Sequence, residues 1–186
     1  MNTIHGYDES GRVFNDYFTA ARYSIFKLGV LQSYVGEDTS PSWQSWEMGN
    51  REESMRLIFD DPESRYADWM RLCNESRASL TRVQVTESPL TPYADWQLAL
   101  FQEYQRQGAE QVFTVSADSL GASALPASDI LIFDDRRVLQ WTYVEGSQGQ
   151  VNGAKTWDVM EGDTNTVASF LTLRQDIIDQ AIPLSR

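Results

Sequence analysis

Residues 130–138 read ILIFDDRRV, which is an apolar run, four charged residues and the start of a second apolar run. Two short apolar runs separated by a polar segment are typical of two antiparallel strands joined by a hairpin turn. The runs predict strands at residues 130–133 and 138–144. An antiparallel pair at this point indicates an antiparallel or mixed sheet, and not the regular βα alternation of a doubly wound fold.

The turn of this hairpin holds two neighbouring acids, Asp134 and Asp135, followed by Arg136 and Arg137. Adjacent carboxylates at a strand end could bind Mg²⁺ or act as a general acid and base. Consecutive strand residues, however, point to opposite faces of a sheet, and aspartate is a common turn residue because its carboxylate accepts backbone N–H bonds. We therefore predict a structural turn and keep a functional acid pair as the alternative.

Hydrophobic periodicity outside the hairpin predicts the remaining elements. The first helix is expected to start after Asp8 or Ser10 as its cap. Segments 36–51 and 117–128 have loop composition. Helices are predicted at 11–22, 60–78, 91–107 and 164–181, and strands within 23–34, at 81–87, at 110–116 and, at a sheet edge, at 154–160. The fold class is α+β, a single domain over residues 1–186 whose mixed or antiparallel sheet is covered by about four helices.

The chain of 186 residues is acidic, with a formal net charge of −12 and a pI near 4.4. This charge repels phosphates and anionic lipids, so we expect no direct binding to nucleic acid and no membrane association. It fits a basic partner, a cationic ligand or plain solubility. Neither a signal peptide nor an apolar run of ~20 residues is visible, so a cytoplasmic protein is expected.

Few residues could supply the common catalytic or metal-binding groups. The single histidine, His5, lies in an N-terminal stretch expected to fray, which argues against a Ser-His-Asp triad and a His/Cys zinc site. The single cysteine, Cys73, falls within an apolar helical pattern and is expected to be buried and unreactive. Glycine-rich segments lack the spacing of phosphate loops. We therefore expect no metal and no cofactor.

Aromatic residues are candidates for a binding surface or pocket. Trp43 and Trp46 lie in the predicted loop, where tryptophans either fold back onto the core or form a contact surface. Tyr93 and Trp96 begin the helix at 91–107, where core packing is the default and a pocket wall is the alternative. We favour core packing in both cases.

Arginines provide the second group of candidates. Arg174 falls in the middle of the apolar face of the last helix, so its charge must be paired, and Asp129, Asp134 and Asp135 are the available acids. The alternative is a clamp for an anion. Arg82, on the strand TRVQVTE, and Arg136, in the turn, would join such a site if their side chains converged.

Two segments, RVQVTESPLTPY at 82–93 and LIFDDRRV at 131–138, carry a family resemblance that extends over nearly the whole chain. The sequence resembles an uncharacterised actinobacterial domain-of-unknown-function family often encoded beside helix-turn-helix regulators. The resemblance implies a cytoplasmic domain with a distantly phospholipase-D-like arrangement of sheet and helices, although the HxK motif of phospholipase D enzymes is missing from this chain.

Two functions stay open at this point. The first is a non-enzymatic regulatory or interaction protein that binds a partner protein, possible partners including a helix-turn-helix regulator with a basic region. The second is a small-molecule-binding protein or biosynthetic enzyme that uses an Asp/Arg cluster, namely Asp134, Asp135, Arg136 and Arg174, around an aromatic-lined pocket. Whether the chain has a catalytic activity is left undecided.

Overall fold

A mixed sheet of eight strands forms the centre of the fold in the computed structural model, which describes residues 1–34, 40–60, 65–120, 125–147 and 149–185. The strands are β1 (Asn2–His5), β2 (Ser24–Gly29), β3 (Ser79–Thr86), β4 (Gln111–Ser116), β5 (Ile130–Phe133), β6 (Arg137–Tyr143), β7 (Val151–Asp158) and β8 (Ile182–Pro183). Their order across the sheet is β1-β7-β6-β5-β2-β3-β4-β8. Strands β2, β3 and β4 are parallel, and every other neighbouring pair is antiparallel. This mixed sheet confirms the predicted α+β class.

Helices connect the parallel strands, and further helices lie near the two ends of the chain. They are α1 (Tyr7–Ala20), α2 (Pro41–Glu47), α3 (Arg51–Phe59), α4 (Arg65–Glu75), α5 (Pro92–Arg106), α6 (Ala117–Leu120) and α7 (Thr164–Ile178). The start of α5 follows the sequence prediction, because the Thr91 hydroxyl accepts a hydrogen bond from the Ala94 N–H and Pro92 occupies the first turn. Within the described ranges, no helix is both long enough and apolar enough to cross a membrane.

The alternation of side chains along each strand divides the core into two sides. Phe26, Leu28, Val83 and Ile132 point to one side, where they pack with Val167 of α7. The opposite side carries residues of two further clusters, which pack against α1, α4 and α5. On β2 this second side belongs to Ile25 and Lys27, so one charged residue of the strand faces the helices and not solvent.

The hairpin at residues 130–138 forms as predicted. Leu131 pairs with Leu139, and the Arg136 N–H donates to the Phe133 carbonyl oxygen at 3.0 Å to close the turn. Asp134 and Asp135 have φ of 52° and 56°. Positive φ at both central positions is the requirement of a type I′ turn, which matches the twist of the two strands. Strand β6 begins at Arg137, one residue before the predicted start.

The N-terminal stretch predicted to fray is instead the edge strand β1. His5 pairs with Gly153 of β7, and the N-terminal ammonium lies 2.9 Å from the Asp163 carboxylate. Helix α1 then starts at Tyr7, earlier than predicted, and the described geometry shows no side-chain cap at its N-terminus. The prediction was wrong because the pairing partner of β1 is far along the chain and leaves no local pattern.

Four other element predictions also need correction. The loop predicted at 117–128 begins with the short helix α6. The loop predicted at 36–51 contains α2 and the start of α3, while residues 35–39 lie outside the described residues. The edge strand predicted at 154–160 begins earlier, at Val151, and is an inner strand between β1 and β6. The helix predicted at 60–78 appears as α4, and its expected start at Asp61, Pro62 and Glu63 falls among residues that the structure does not describe.

Candidate functional site

A cleft of about 740 Å³ lies between the sheet and the helices of its second side. Its walls come from α1, α4 and α5, its floor from β2, β3, β5 and β6, and its rim from Tyr34, Tyr143 and the segment 149–151. The volume falls within the range of roughly 300–1,000 Å³ that is typical of small-molecule sites. The residues that line the cleft come from strands and helices that are far apart in the sequence.

The floor of the cleft changes from charged to apolar across three neighbouring strands. Arg82 of β3 pairs in register with Lys27 of β2, and Lys27 pairs with Leu131 of β5. All three line the cleft. Because neighbouring strands lie about 4.8 Å apart, the backbone distance from Arg82 to Leu131 is about 10 Å. One end of the floor is thus cationic, and the other is apolar.

Arg82 forms a buried ion pair with Glu110. The Arg82 Nε lies 2.9 and 3.0 Å from the two carboxylate oxygens, and the two side chains are 4% and 0% exposed. Burial lowers the pKa of Arg82, but the charge of Glu110 and its hydrogen bond outweigh this effect and raise the pKa overall, so the guanidinium stays protonated. Removal of one partner alone would leave the other charge buried without compensation, which is strongly destabilising.

Aromatic side chains hold the Arg82 guanidinium in place. Its Cζ lies 4.1 Å from the centre of the Phe101 ring and 5.2 Å from that of Trp69. The Lys27 Nζ lies 5.1 Å from the same Trp69 ring. Cations over aromatic faces gain electrostatic stabilisation at this range, and Trp69 therefore contacts both cations of the floor.

Ten of the lining residues are aromatic, and many of these rings contact one another. Phe14 stacks on Trp69 with the planes 15° apart, and it contacts Trp141 at 6.0 Å between ring centres. On the opposite wall the Trp96 indole N–H donates to the Ser42 hydroxyl, which fixes the orientation of its ring. Such rings provide flat apolar walls on either side of a bound molecule.

Asp129 lines the cleft just before strand β5, whose Leu131 belongs to the apolar end of the floor. Its carboxylate accepts hydrogen bonds from the Val30 N–H at 2.8 Å and from the Tyr34 hydroxyl at 2.5 Å. Burial raises the pKa of Tyr34 well above its usual value, and the neighbouring Asp129 charge raises it further, so Tyr34 stays a neutral donor. Burial and the charge of Asp129 likewise raise the pKa of Tyr143. Both tyrosines are therefore uncharged at neutral pH.

Two polar groups in the cleft have donors without a partner among the described residues. Arg82 bonds to Glu110 through Nε alone, so neither Nη group makes a hydrogen bond within the described part of the chain, although the residue is 3% exposed. Trp69 has its Nε1 atom buried without a partner in that same part. The carboxylates of Glu110 and Asp129 already accept hydrogen bonds. The unused hydrogen-bonding capacity of the buried charged groups therefore consists of donors.

Asp134 and Asp135 of the hairpin turn do not form the functional acid pair that was the alternative to a structural turn. The Asp134 carboxylate accepts backbone N–H bonds from Arg22, Tyr23 and Ser24 at 2.8–3.2 Å. Asp135 instead forms an ion pair with Arg174. Because the two carboxylates have separate structural partners, the turn interpretation agrees with the geometry, and the pairing of Arg174 with one of three candidate acids is confirmed.

Burial raises the pKa of Asp134, but the N–H bonds from Ser24, Tyr23 and Arg22 and the charge of Arg137 outweigh it, and the resulting pKa lies below its usual value. The two arginines that follow the turn acids form ion pairs with Asp158. Arg136 and Arg137 donate hydrogen bonds to its carboxylate at 3.3 and 2.7 Å. The Asp/Arg cluster is therefore a structural network at the end of the hairpin and does not line the cleft.

Other predicted site residues divide between the core and the cleft. Trp43, Trp46 and Tyr93 belong to one buried cluster and are 7–8% exposed, which confirms that the tryptophans fold back onto the core. Arg82 and Trp96 do line the cleft. Arg174 lies on the other side of the sheet with α7 and is paired with the turn.

Sequence reasoning missed most of the cleft. Lys27, Trp69, Glu110 and Asp129 were not assigned to a site, although Asp129 was considered as a partner of Arg174. A charged residue within the apolar strand SIFKLG was the one available signal for Lys27. The Arg82–Glu110 pair spans 28 residues, and no local pattern could reveal it.

A family model with the description "Domain of unknown function (DUF6879)" matches residues 12–186. No curated protein matches the sequence.

Solved structures with the same fold are distant in sequence. The phospholipase D family member Nuc from Salmonella typhimurium is 13% identical with a TM-score of 0.52, and the match covers 98% of this chain and 95% of Nuc. TrmBL2, an archaeal chromatin protein described with a novel mode of DNA binding, is 10% identical with a TM-score of 0.52. That match covers 98% of this chain but 52% of TrmBL2, so the chain spans about half the length of that protein. At these identities the likeness concerns the fold, whereas the family match covers nearly all of the sequence, and the chain therefore belongs to the DUF6879 family of domains of unknown function.

Proposed function

We propose that this protein binds a small molecule in the cleft between the sheet and helices α1, α4 and α5. The observation that carries the proposal is a concave site of about 740 Å³ lined by ten aromatic residues, with the cations Lys27 and Arg82 on its floor. A mostly apolar cleft with a few convergent polar groups is the usual form of a ligand site.

The unpaired donors support this proposal. A folded protein rarely leaves buried donors without a partner, because each one forgoes the hydrogen bond it had in water at a cost of roughly 1–3 kcal/mol. The Trp69 Nε1 is a donor of this kind. The Nη groups of Arg82, a residue that is 3% exposed, also make no hydrogen bond within the described part of the chain, and both residues line the cleft. A ligand that accepts their hydrogen bonds would remove this cost.

The experiment that tests the proposal follows the six indole N–H signals in ¹H–¹⁵N spectra while small aromatic compounds, both charged and neutral, are added. Trp69, Trp96 and Trp141 line the cleft, whereas Trp46 and Trp157 lie outside its lining and report on unrelated regions. Binding in the cleft is expected to shift the first three signals and leave the other two unchanged. If no compound in the set shifts the cleft signals, or if the shifts appear at Trp46 and Trp157 alone, the proposal is contradicted.

Gly11 offers a matched pair of variants for this experiment. It lines the cleft from α1, and an added Cβ would meet no atom within 4 Å. Gly11→Phe is expected to fill part of the cleft and abolish binding, while Gly11→Ala, which makes a similar change in helix propensity without the bulk, should keep it. Loss of binding in both variants, or in neither, would argue against the cleft as the site.

Binding of a partner protein, including a regulator encoded nearby in an actinobacterial genome, remains a separate proposal from the family resemblance. The net charge of −12 supports a basic partner. Trp43 and Trp46, the candidate residues for a contact surface, are buried, so that proposal now rests on charge. Copurification of a stoichiometric basic protein in a salt-dependent complex would favour it, and a salt-independent absence of any complex would oppose it.

A further inference from the structure

We propose that the ligand of this cleft is a planar aromatic monocarboxylic acid, whose carboxylate binds at Arg82 and Lys27 and whose ring lies toward Leu131 and Trp141. This inference rests on the proposed function, because it names the class of molecule that the same cleft would bind. Its basis is the arrangement of unused donors, charges and rings across the floor.

The head group must be a hydrogen-bond acceptor. Arg82 is 3% exposed, and its Nη groups have no partner in the described part of the chain, although they belong to a residue that lines the cleft. A guanidinium with its Nη edge unused suits the two oxygens of a carboxylate. Lys27, the register partner of Arg82, places a second positive charge next to this position.

The charges of the cleft favour a single carboxylate over a phosphate with two negative charges. The described lining holds the cations Lys27 and Arg82 and the acids Asp68 and Asp129, and Glu110 is paired with Arg82. These three acids accept hydrogen bonds from protein donors, so the Nη groups of Arg82 remain for one carboxylate. A more highly charged ligand would meet repulsion from Asp68 and Asp129 and from the net charge of −12.

The apolar end of the floor indicates the chemistry of the rest of the ligand. Leu131 lies two strands from Arg82, about 10 Å away along the sheet, which matches the length of a one- or two-ring aromatic acid. Trp141 and Phe14 stand at this end with their ring centres 6.0 Å apart. A flat ring could contact these side chains while its carboxylate reaches Arg82.

The test uses 2-naphthoate and its neutral counterpart 2-naphthamide, which share one ring system and differ in charge. We expect wild-type protein to bind 2-naphthoate at least about ten-fold more tightly, because a charge-assisted hydrogen bond is stronger than a neutral one. The dissociation constants are measured from the shifts of the Trp69 and Trp141 indole signals.

Variants show whether Arg82 is responsible for this preference. The double variant Arg82→Met with Glu110→Leu removes the donors together with their partner, so no uncompensated charge stays buried. Its preference for 2-naphthoate is expected to be several-fold weaker than that of the wild type, because only Lys27 then remains for the carboxylate. Arg174→Ala removes a cation outside the cleft and should preserve the wild-type preference. An unchanged Trp157 signal confirms that each variant is folded.

The possible failures are distinguishable. Equal affinities in the wild type, or a preference that is undiminished in the double variant, overturn the inference about the acid and leave binding in the cleft intact. If neither compound shifts the cleft signals but other compounds do, the ligand class is wrong and the proposed function stands. If no compound shifts them, both proposals fail.

Discussion

Two regions of this protein concentrate charge, and they differ in how completely those charges are satisfied. At the hairpin end, Asp134, Asp135 and Asp158 each have their own donors, and the two turn acids Asp134 and Asp135 are at least partly exposed. In the cleft, Arg82 and Glu110 are buried, and donors remain unused among the described residues. The first arrangement stabilises a turn, whereas the second is what a binding site requires. Proximity of charged residues in sequence therefore does not identify the functional site.

The largest effect is expected from breaking the buried pair on one side. Arg82→Met leaves the Glu110 carboxylate buried without a partner, which should lower the free energy of unfolding by about 3–5 kcal/mol. The double variant with Glu110→Leu should recover most of this loss, because no charge is then stranded. Urea unfolding followed by fluorescence measures both values. A double variant as unstable as the single one would show that the pair itself, and not the stranded charge, supports the fold.

A smaller effect is expected at the turn. Asp134→Ala removes the acceptor for three backbone N–H groups, and we expect a loss of about 2 kcal/mol, since some of these groups can bond to water. Binding in the cleft should be unchanged. Urea unfolding and a 2-naphthoate titration of the same sample test both statements. A variant as stable as the wild type would mean that the Asp134 contacts contribute nothing measurable.

The same carboxylate makes stability depend on pH. The pKa of folded Asp134 lies below that of an unfolded aspartate, so its stabilisation is complete above about pH 4 and is lost as the pH falls through the lower folded value. Asp158 acts in the same direction. Burial raises its pKa, but the hydrogen bonds from Arg137, Met160 and Arg136 outweigh burial, and the resulting pKa lies below its usual value. Asp134→Asn should therefore show a weaker loss of stability between pH 5 and pH 2 than the wild type, in unfolding curves recorded across that range. Identical pH profiles would contradict this assignment.

The ion pair of Asp135 with Arg174 should matter least for stability. Its side chains are 52% and 21% exposed, and surface pairs contribute about 1 kcal/mol or less. Asp135→Ala and Arg174→Ala should each change the free energy of unfolding by no more than that amount. A double-mutant cycle measures the coupling energy between the two side chains. A coupling above 2 kcal/mol would make this exposed pair as important for stability as the buried Arg82–Glu110 pair, and the two regions would then not differ in this respect.

The reactivity of the Cys73 thiol reports on how tightly the region around the buried Arg82–Glu110 pair is packed. Burial raises the pKa of its thiol to about 12, and the Glu110 charge contributes. Iodoacetamide at pH 8 should therefore alkylate the folded protein far more slowly than the unfolded chain. Arg82→Met should accelerate the reaction by loosening the structure, whereas Arg174→Ala should not. Rapid alkylation of the wild type, followed by mass spectrometry, would show that this region opens readily.

The hairpin could be predicted from the sequence because its determinants are local. Apolar runs, turn residues and the pairing of Arg174 with an acid all follow from neighbouring positions or from a single charge on an apolar helix face. The cap of α5 at Thr91 follows for the same reason. The N-terminal strand could not be predicted, since Ile4 pairs with Ala154 and nothing near Ile4 indicates this.

The cleft could not be predicted because it depends on register. Lys27 and Arg82 come together through the pairing of β2 with β3, and the described residues of the segment between these strands form the helices α2, α3 and α4. Arg82 was identified as a candidate, but its expected companions were the turn residues and not Glu110 or Lys27. A shift of one residue in this pairing would move Arg82 to the other side of the sheet.

The most direct test of the account compares 2-naphthoate binding in the Arg82→Met, Glu110→Leu double variant with binding in Arg174→Ala, using the Trp69 and Trp141 indole signals. We predict that the double variant loses at least about ten-fold in affinity while Arg174→Ala binds as the wild type does. The opposite result, with affinity lost in Arg174→Ala and kept in the double variant, would place the binding site at the hairpin end and contradict the assignment of the cleft.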